Sequence, residues 1–93
     1  MIRHAVIWSM APDRAAELEP LLEELRALPE AIGEIRALSA GPLLNESSYD
    51  AALCVDVDDE AALERYRSHP AHEPSLSRLR EVATEIVVGD YRL

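Results

Sequence analysis

Residues 2–9, IRHAVIWS, alternate between two kinds of side chain, and this pattern decides how the rest of the chain is interpreted. One face carries Ile2, His4, Val6 and Trp8, and the other carries Arg3, Ala5, Ile7 and Ser9. A period of two with β-branched and aromatic residues predicts a β-strand. The first face is the more apolar, so we expect it to meet the main core and to carry His4 with it.

An amphipathic helix is predicted after this strand. Its leucines recur at helical spacing, namely Leu18, Leu21, Leu22, Leu25 and Leu28. Pro20 lacks an N–H, so it predicts either a kink or a helix that begins near it. Pro29 is expected to end this helix.

A second helix is predicted from about Glu60 to Ser68, with Asp58 or Asp59 as its cap. His69-Pro70 interrupts it, because a residue before proline avoids the helical region. Helical spacing then resumes as far as Val82.

Three further strands complete the pattern. Residues 35–44 predict a weaker strand, in which Gly41 and Pro42 favour a bulge or an edge position. Residues 49–57, YDAALCVDV, alternate again, and residues 84–91 predict a closing strand. The order predicts an α+β class and a ferredoxin-like β-α-β-β-α-β fold. It would be a single domain over residues 1–93, with both helices on one face of a four-stranded antiparallel sheet.

The other face of the predicted sheet is too apolar to be simply solvated. It carries Ala5, Ile7, Ala52, Cys54 and Val87 among the charged residues Arg3, Asp50 and Asp56. Packing against the same face of a second copy would cover it. We therefore predict a homodimer with twofold symmetry, in the form of a dimeric α/β barrel.

The composition narrows the classes of function. The chain has 18 acidic residues against 9 bases and a net charge of −9, so neither a nucleic-acid nor a membrane partner is expected. No long apolar segment follows the first residues and Cys54 is the only cysteine, which favours a cytoplasmic protein. The three glycines are not clustered into a phosphate-binding loop, so no cofactor is expected.

Residues 66–72, YRSHPAH, contain the side chains best suited to catalysis. If a new helix starts at Pro70, His72 lies in its first turn, where the positive end of the helix favours a neutral imidazole. That is the form that a general base needs. Tyr66 could donate a hydrogen bond to a substrate carbonyl as negative charge develops on it. His72 and Tyr66 are therefore the candidate catalytic residues.

Each of these residues also has a structural interpretation. His4 could be a core histidine bonded to a backbone carbonyl, and His69 could bind the last carbonyls of its helix. His72 could serve only to fix the helix break, and Tyr66 could serve only to cover the edge between helix and sheet. No metal site is expected, because His69, His72 and Glu73 by themselves rarely form one.

Three segments together resemble the stress-responsive α/β-barrel (Dabb) family. They are the opening MIRH, the HPAH segment that follows the helical Tyr66, and the closing VVGDY. The resemblance covers nearly the whole chain and implies a ferredoxin-like dimeric α/β barrel. For function it implies a protein that binds a small organic molecule in a pocket between helices and sheet. Most members of the family have no assigned reaction.

One class within this family, the plant polyketide cyclases of the olivetolic acid type, uses a tyrosine and a histidine from the same segment in an intramolecular aldol condensation. The resemblance implies these roles for Tyr66 and His72. The chain departs from the family at Ser9, where members often carry lysine, and it contains no phenylalanine. The expected substrate-binding residues are His4, Trp8, Val6 and Leu21.

Three functions stay open on the sequence. The first is a small-molecule-binding protein. The second is a cofactor-free enzyme, cyclase-like or monooxygenase-like, with His72 as the general base and Tyr66 as the hydrogen-bond donor. The third is a structural, stress-related oligomer. An open pocket beside His72 would favour the first two, and a fully packed interior would favour the third.

Overall fold

The computed structural model describes all 93 residues and has the predicted ferredoxin-like fold. Four antiparallel strands form one sheet in the order β2-β3-β1-β4. A 3₁₀ helix, Pro12–Glu17, follows the first strand. The strands are β1 (Ile2–Met10), β2 (Ala37–Pro42), β3 (Ala51–Val57) and β4 (Ala83–Arg92). The helices are α1 (Leu18–Arg26), α2 (Leu28–Ala31), α3 (Glu60–Ser68) and α4 (His72–Val82).

The two prolines of the first helical region lie near the starts of two different helices. Pro20 is the third residue of α1, where a missing N–H has no intrahelical partner to lose, so the helix begins near it as one of the two alternatives predicted. The prediction that Pro29 ends this helix is wrong. Helix α1 already ends at Arg26, and Pro29 lies in the first turn of the short helix α2, a position that proline tolerates.

The second helical region is divided as predicted. The side chain of Asp59 accepts a hydrogen bond of 2.8 Å from the backbone N–H of Ala62 and caps α3. Asp58 instead pairs with Arg36 at 2.8 Å. Helix α3 ends at Ser68, and α4 begins again at His72.

The core lies between the helices and one face of the sheet, which we call the inner face. Its largest fully buried side chains are Trp8, Tyr66, Leu21, Leu22, Ile32, Val55, Val57 and Val82. On the inner face His4 of β1 is opposite Val55 of β3 and Asp90 of β4. The central strand β1 therefore places His4 in the interior, as its alternation predicted.

The opposite, outer face of the sheet has no helix over it. Ile7 and Val87 are cross-strand neighbours there, and these residues are 37% and 47% exposed. Arg3 of β1 donates hydrogen bonds of 2.7 and 2.9 Å to Asp56, which is opposite it on β3. The Arg3 guanidinium holds the pKa of the Asp56 carboxyl below its usual value. This face is therefore a mixture of exposed apolar side chains and a strong ion pair.

No helix in the structure combines the length and apolar character needed to cross a membrane.

The difference between Asp58 and Asp59 can be tested by matched substitutions. Replacement of Asp59 by alanine removes the only side-chain acceptor at the start of α3, so Asp59→Ala should lower the free energy of unfolding by about 1 kcal/mol. Asp58→Ala removes a half-exposed ion pair and should change it by roughly 0.5 kcal/mol or less. Urea denaturation of both variants measures this, and equal losses would mean that Asp59 is not the functional cap.

Candidate functional site

A cavity of about 290 Å³ lies between the inner face of the sheet and the helices. Its wall is mainly apolar and comes from Val6, Leu25, Leu53, Leu76, Leu79, Ile86 and Val88. Its polar residues are His4, Tyr66, Arg67, His72, Ser75 and Arg80. Val88 is 53% exposed although it belongs to the inner face, so the cavity opens beside the edge strand β4.

Three aromatic rings that the sequence singled out meet at this cavity. The ring centroids of His4 and Tyr66 are 5.7 Å apart, and those of Tyr66 and His72 are 4.6 Å apart. Tyr66 comes from the last turn of α3, His72 is the first residue of α4, and His4 rises from the middle of β1. The structure therefore brings together three residues that are far apart in the chain or separated by a helix break.

Tyr66 keeps a hydroxyl group without a partner in an apolar environment. Its side chain is 1% exposed, and its Oη makes no hydrogen bond. Burial raises the pKa of Tyr66 to about 12. The hydroxyl therefore stays protonated, and its capacity to donate a hydrogen bond is unused.

His72 is also incompletely bonded. Its Nδ1 is buried and has no hydrogen-bond partner. Burial is the main cause that lowers the pKa of His72, and a hydrogen bond with the backbone of Arg67 partly opposes it. At neutral pH the ring is therefore mostly uncharged, and one of its nitrogens can accept a proton.

His4 is held by a residue that the sequence analysis did not assign to the site. Its Nδ1 lies 2.6 Å from Oδ1 of Asp90, which is directly opposite it on β4, and Arg67 also donates to this carboxylate. Because a carboxylate only accepts, His4 Nδ1 carries the hydrogen in this bond, which leaves Nε2 free to accept when the ring is neutral. The partner of His4 is thus a side-chain carboxylate, in place of the backbone carbonyl that the structural interpretation supposed.

Asp90 belongs to the closing VVGDY segment, which by itself predicts no role for this residue. A signal for it does exist, because Ile86, Val88 and Asp90 alternate on one face of β4 and an acid is unexpected on an otherwise apolar face. What the sequence could not supply is the register that puts Asp90 opposite His4.

The remaining predicted pocket residues divide between cavity and core. Val6 lines the cavity. Trp8 and Leu21 do not, because both are fully buried in the core; the helical leucines of the wall are Leu25, Leu76 and Leu79. The indole Nε1 of Trp8 is a further buried atom without a hydrogen-bond partner, but it lies outside the cavity lining.

His69 lies in the turn between α3 and α4 and does not line the cavity. Its Nδ1 accepts a hydrogen bond of 3.0 Å from the backbone N–H of Ala71, so it stabilises the turn itself. It does not bind the last carbonyls of α3 through its ring. No group of three or more His, Cys, Asp or Glu side chains converges in a way that could hold a metal ion.

Comparison with known proteins identifies the family of this chain. A family model described as the stress responsive A/B barrel domain (Dabb) matches residues 2–93. The chain belongs to the Dabb family. An uncharacterized protein of Streptomyces coelicolor is 36% identical to this Dabb chain over 97 residues, a match that covers 98% of each.

Solved structures share the fold of this Dabb chain. A dimeric ferredoxin-like protein from Thermobifida fusca is 28% identical, with a TM-score of 0.84 over 99% of this chain and 90% of that one. The hydroxynitrile lyase from Passiflora edulis is only 14% identical but has a TM-score of 0.89 over 99% of this chain and 92% of that one. At that identity the likeness concerns the fold alone.

Because the hydroxyl of Tyr66 has no partner, we expect its removal to stabilise the fold. Tyr66→Phe removes a buried polar group that makes no hydrogen bond and keeps the ring, so the free energy of unfolding should rise by about 1 kcal/mol. Chemical denaturation of the two proteins at pH 7 measures it. A decrease of similar size would show that the hydroxyl has a stabilising partner in solution.

His72 predicts a pH dependence of stability. Its pKa in the folded chain is below the ordinary value of 6.5, so the unfolded chain binds the proton first as the pH falls. Stability should therefore decline from about pH 7 downwards and stop declining below the folded pKa. Urea unfolding at a series of pH values should show a shallower decline for His72→Gln, and identical pH profiles for both proteins would contradict this origin.

Proposed function

We propose that this Dabb chain binds a small organic molecule that carries a carbonyl group, in the cavity between the helices and the sheet. The observation that carries the proposal is the pair of unpartnered polar atoms, Tyr66 Oη and His72 Nδ1, on residues that line the cavity. Buried polar groups in proteins are nearly always hydrogen-bonded, and the exceptions need an explanation. A ligand that bonds to both atoms supplies one.

The size and lining of the cavity support a small and mostly apolar ligand. A volume of about 290 Å³ is at the lower end of the range found for ligand sites. Apolar side chains surround the rings of His4, Tyr66 and His72, so the polar contacts concentrate at one place. The open cavity also argues against a purely structural role for this chain, which a filled interior would have favoured.

A second candidate function is catalysis at the same place, and the pairing of Tyr66 with His72 favours it. Neutral His72 can take a proton from the carbon next to a carbonyl group, and the electron pair of the broken C–H bond moves to the carbonyl oxygen. Tyr66 Oη can donate a hydrogen bond to that oxygen as its negative charge develops. No electrons enter or leave, so this step needs no redox cofactor. It is the first step of the aldol condensation that the family resemblance implies for Tyr66 and His72.

The enzymatic candidate predicts a measurable exchange reaction. In D₂O the wild-type chain should catalyse exchange of the hydrogens next to the carbonyl of a small ketone such as 6-oxoheptanoate, which ¹H NMR detects by loss of signal. His72→Gln should slow this exchange by about 100-fold or more, because general base catalysis typically contributes at least that factor. Tyr66→Phe should slow it less while the protein remains folded. Unchanged exchange in His72→Gln would remove His72 as the base and leave only the binding function.

We propose, in addition, that the chain forms a homodimer through its outer sheet face. Ile7 and Val87 are exposed neighbours on that face, and the similar protein from Thermobifida fusca is dimeric. A second copy would cover both apolar side chains in a twofold-symmetric contact.

Two neighbouring residues of β4 test this interface. Val87 faces outwards and Val88 faces inwards, and both are about half exposed. Val87→Glu should convert the dimer to a monomer near 10.3 kDa, because it places two like charges in an apolar contact. Val88→Glu should leave the dimer intact. Light scattering at micromolar concentration measures both, and a monomeric wild-type chain would contradict the proposal.

A further inference from the structure

The cavity has an unusual charge for this chain. Nearly one residue in five is acidic and the net charge is −9, yet no aspartate or glutamate lines the cavity. The arginines that line it are Arg67 and Arg80. Both arginines are exposed to solvent, so they place positive charge at the rim of the cavity in an otherwise acidic protein, where it attracts an anion.

The two arginines are not equivalent. Arg67 is already neutralised, because it binds Asp90 and lies 3.9 Å from Glu64. Arg80 makes no ion pair and no side-chain hydrogen bond, whereas every other arginine of the chain makes an ion pair. Those paired arginines are Arg3, Arg14, Arg26, Arg36, Arg65, Arg67, Arg78 and Arg92. Arg80 is thus the one guanidinium that the fold leaves without a counter-ion, and it lies at the cavity.

The position of Arg80 on α4 relates it to the polar site. His72, Leu76 and Arg80 are spaced by four residues, so they lie along one face of the helix, and all three line the cavity. His72 and Arg80 are about 12 Å apart along the helix axis, with an apolar side chain between them. A long arginine side chain leans back towards the start of its helix, which shortens this gap.

Arg80 is in the last turn of α4, where a positive charge also stabilises the helix dipole. That contribution does not depend on which way the residue faces. It therefore does not account for an unpaired guanidinium at the cavity.

We propose that the ligand carries a carboxylate at the end opposite to its carbonyl group, so that it is a short keto acid with an apolar middle. Its carboxylate pairs with Arg80, its chain lies against Leu76 and Leu79, and its carbonyl reaches Tyr66 and His72. This inference rests on the proposed ligand site and adds the chemical class of the ligand.

The test compares two probes that differ only in charge. They are 6-oxoheptanoate and its primary amide, 6-oxoheptanamide, which have nearly the same shape. Wild-type protein should bind the acid at least about fivefold more tightly than the amide, as measured by NMR chemical-shift titration, because a charge-assisted pair is stronger than a neutral hydrogen bond. Arg80→Gln should remove this preference and leave the affinity for the amide unchanged.

Arg78→Gln is the matched control on the same helix. Arg78 lies 3.8 Å from Glu24 and does not line the cavity, so this variant should keep the wild-type preference. Equal binding of both probes by the wild-type chain would overturn the carboxylate inference and leave the carbonyl site standing. A preference that survives in Arg80→Gln would also overturn it. Failure of both probes to bind would overturn the proposed ligand site together with this inference.

Discussion

The candidate site depends on the backbone of a single dipeptide, His69-Pro70. Proline has no N–H and its ring excludes helical backbone from the residue before it, so His69 is extended, with φ −65° and ψ 134°. In one continuous helix Tyr66 and His72 would be six residues apart, and their side chains would be separated by about 120° around the axis. They would then face different sides. The break instead lets α4 start in a new direction, and the two rings meet at 4.6 Å.

The side chains of the site are fixed in place, but not all of their hydrogen-bonding atoms have partners. Asp90 and Arg67 fix His4 from one side, but Tyr66 Oη and His72 Nδ1 are left without partners inside an apolar wall. Leaving a buried polar group unpaired is unfavourable for folding, typically by 1–3 kcal/mol as an order of magnitude. A sequence under selection for stability alone would replace Tyr66 by phenylalanine. Departures of this kind from good local packing tend to occur at functional positions.

The charged side chains are distributed unevenly between the cavity and the rest of the surface. The acids of the chain lie outside the cavity lining, where they pair with eight of the nine arginines. Asp90 bonds to His4 and Arg67, which both line the cavity. Its negative charge is therefore balanced, and the cavity keeps the positive character that Arg80 gives it. On the outer face, the Arg3–Asp56 ion pair interrupts a surface of exposed apolar side chains.

Local sequence patterns were sufficient to predict the order of strands and helices, the break at His69-Pro70, and the inward direction of His4. These features follow from periodicity and from the stereochemistry of proline, which act between residues close together in the chain. The rest of the site depends on contacts that form only in the folded chain. These contacts place Trp8 and Leu21 in the core and Leu25 and Leu79 at the cavity, and they put Asp90 opposite His4 across 86 residues of sequence. Strand register and the docking of helices on a sheet depend on contacts between distant segments, which local patterns do not encode.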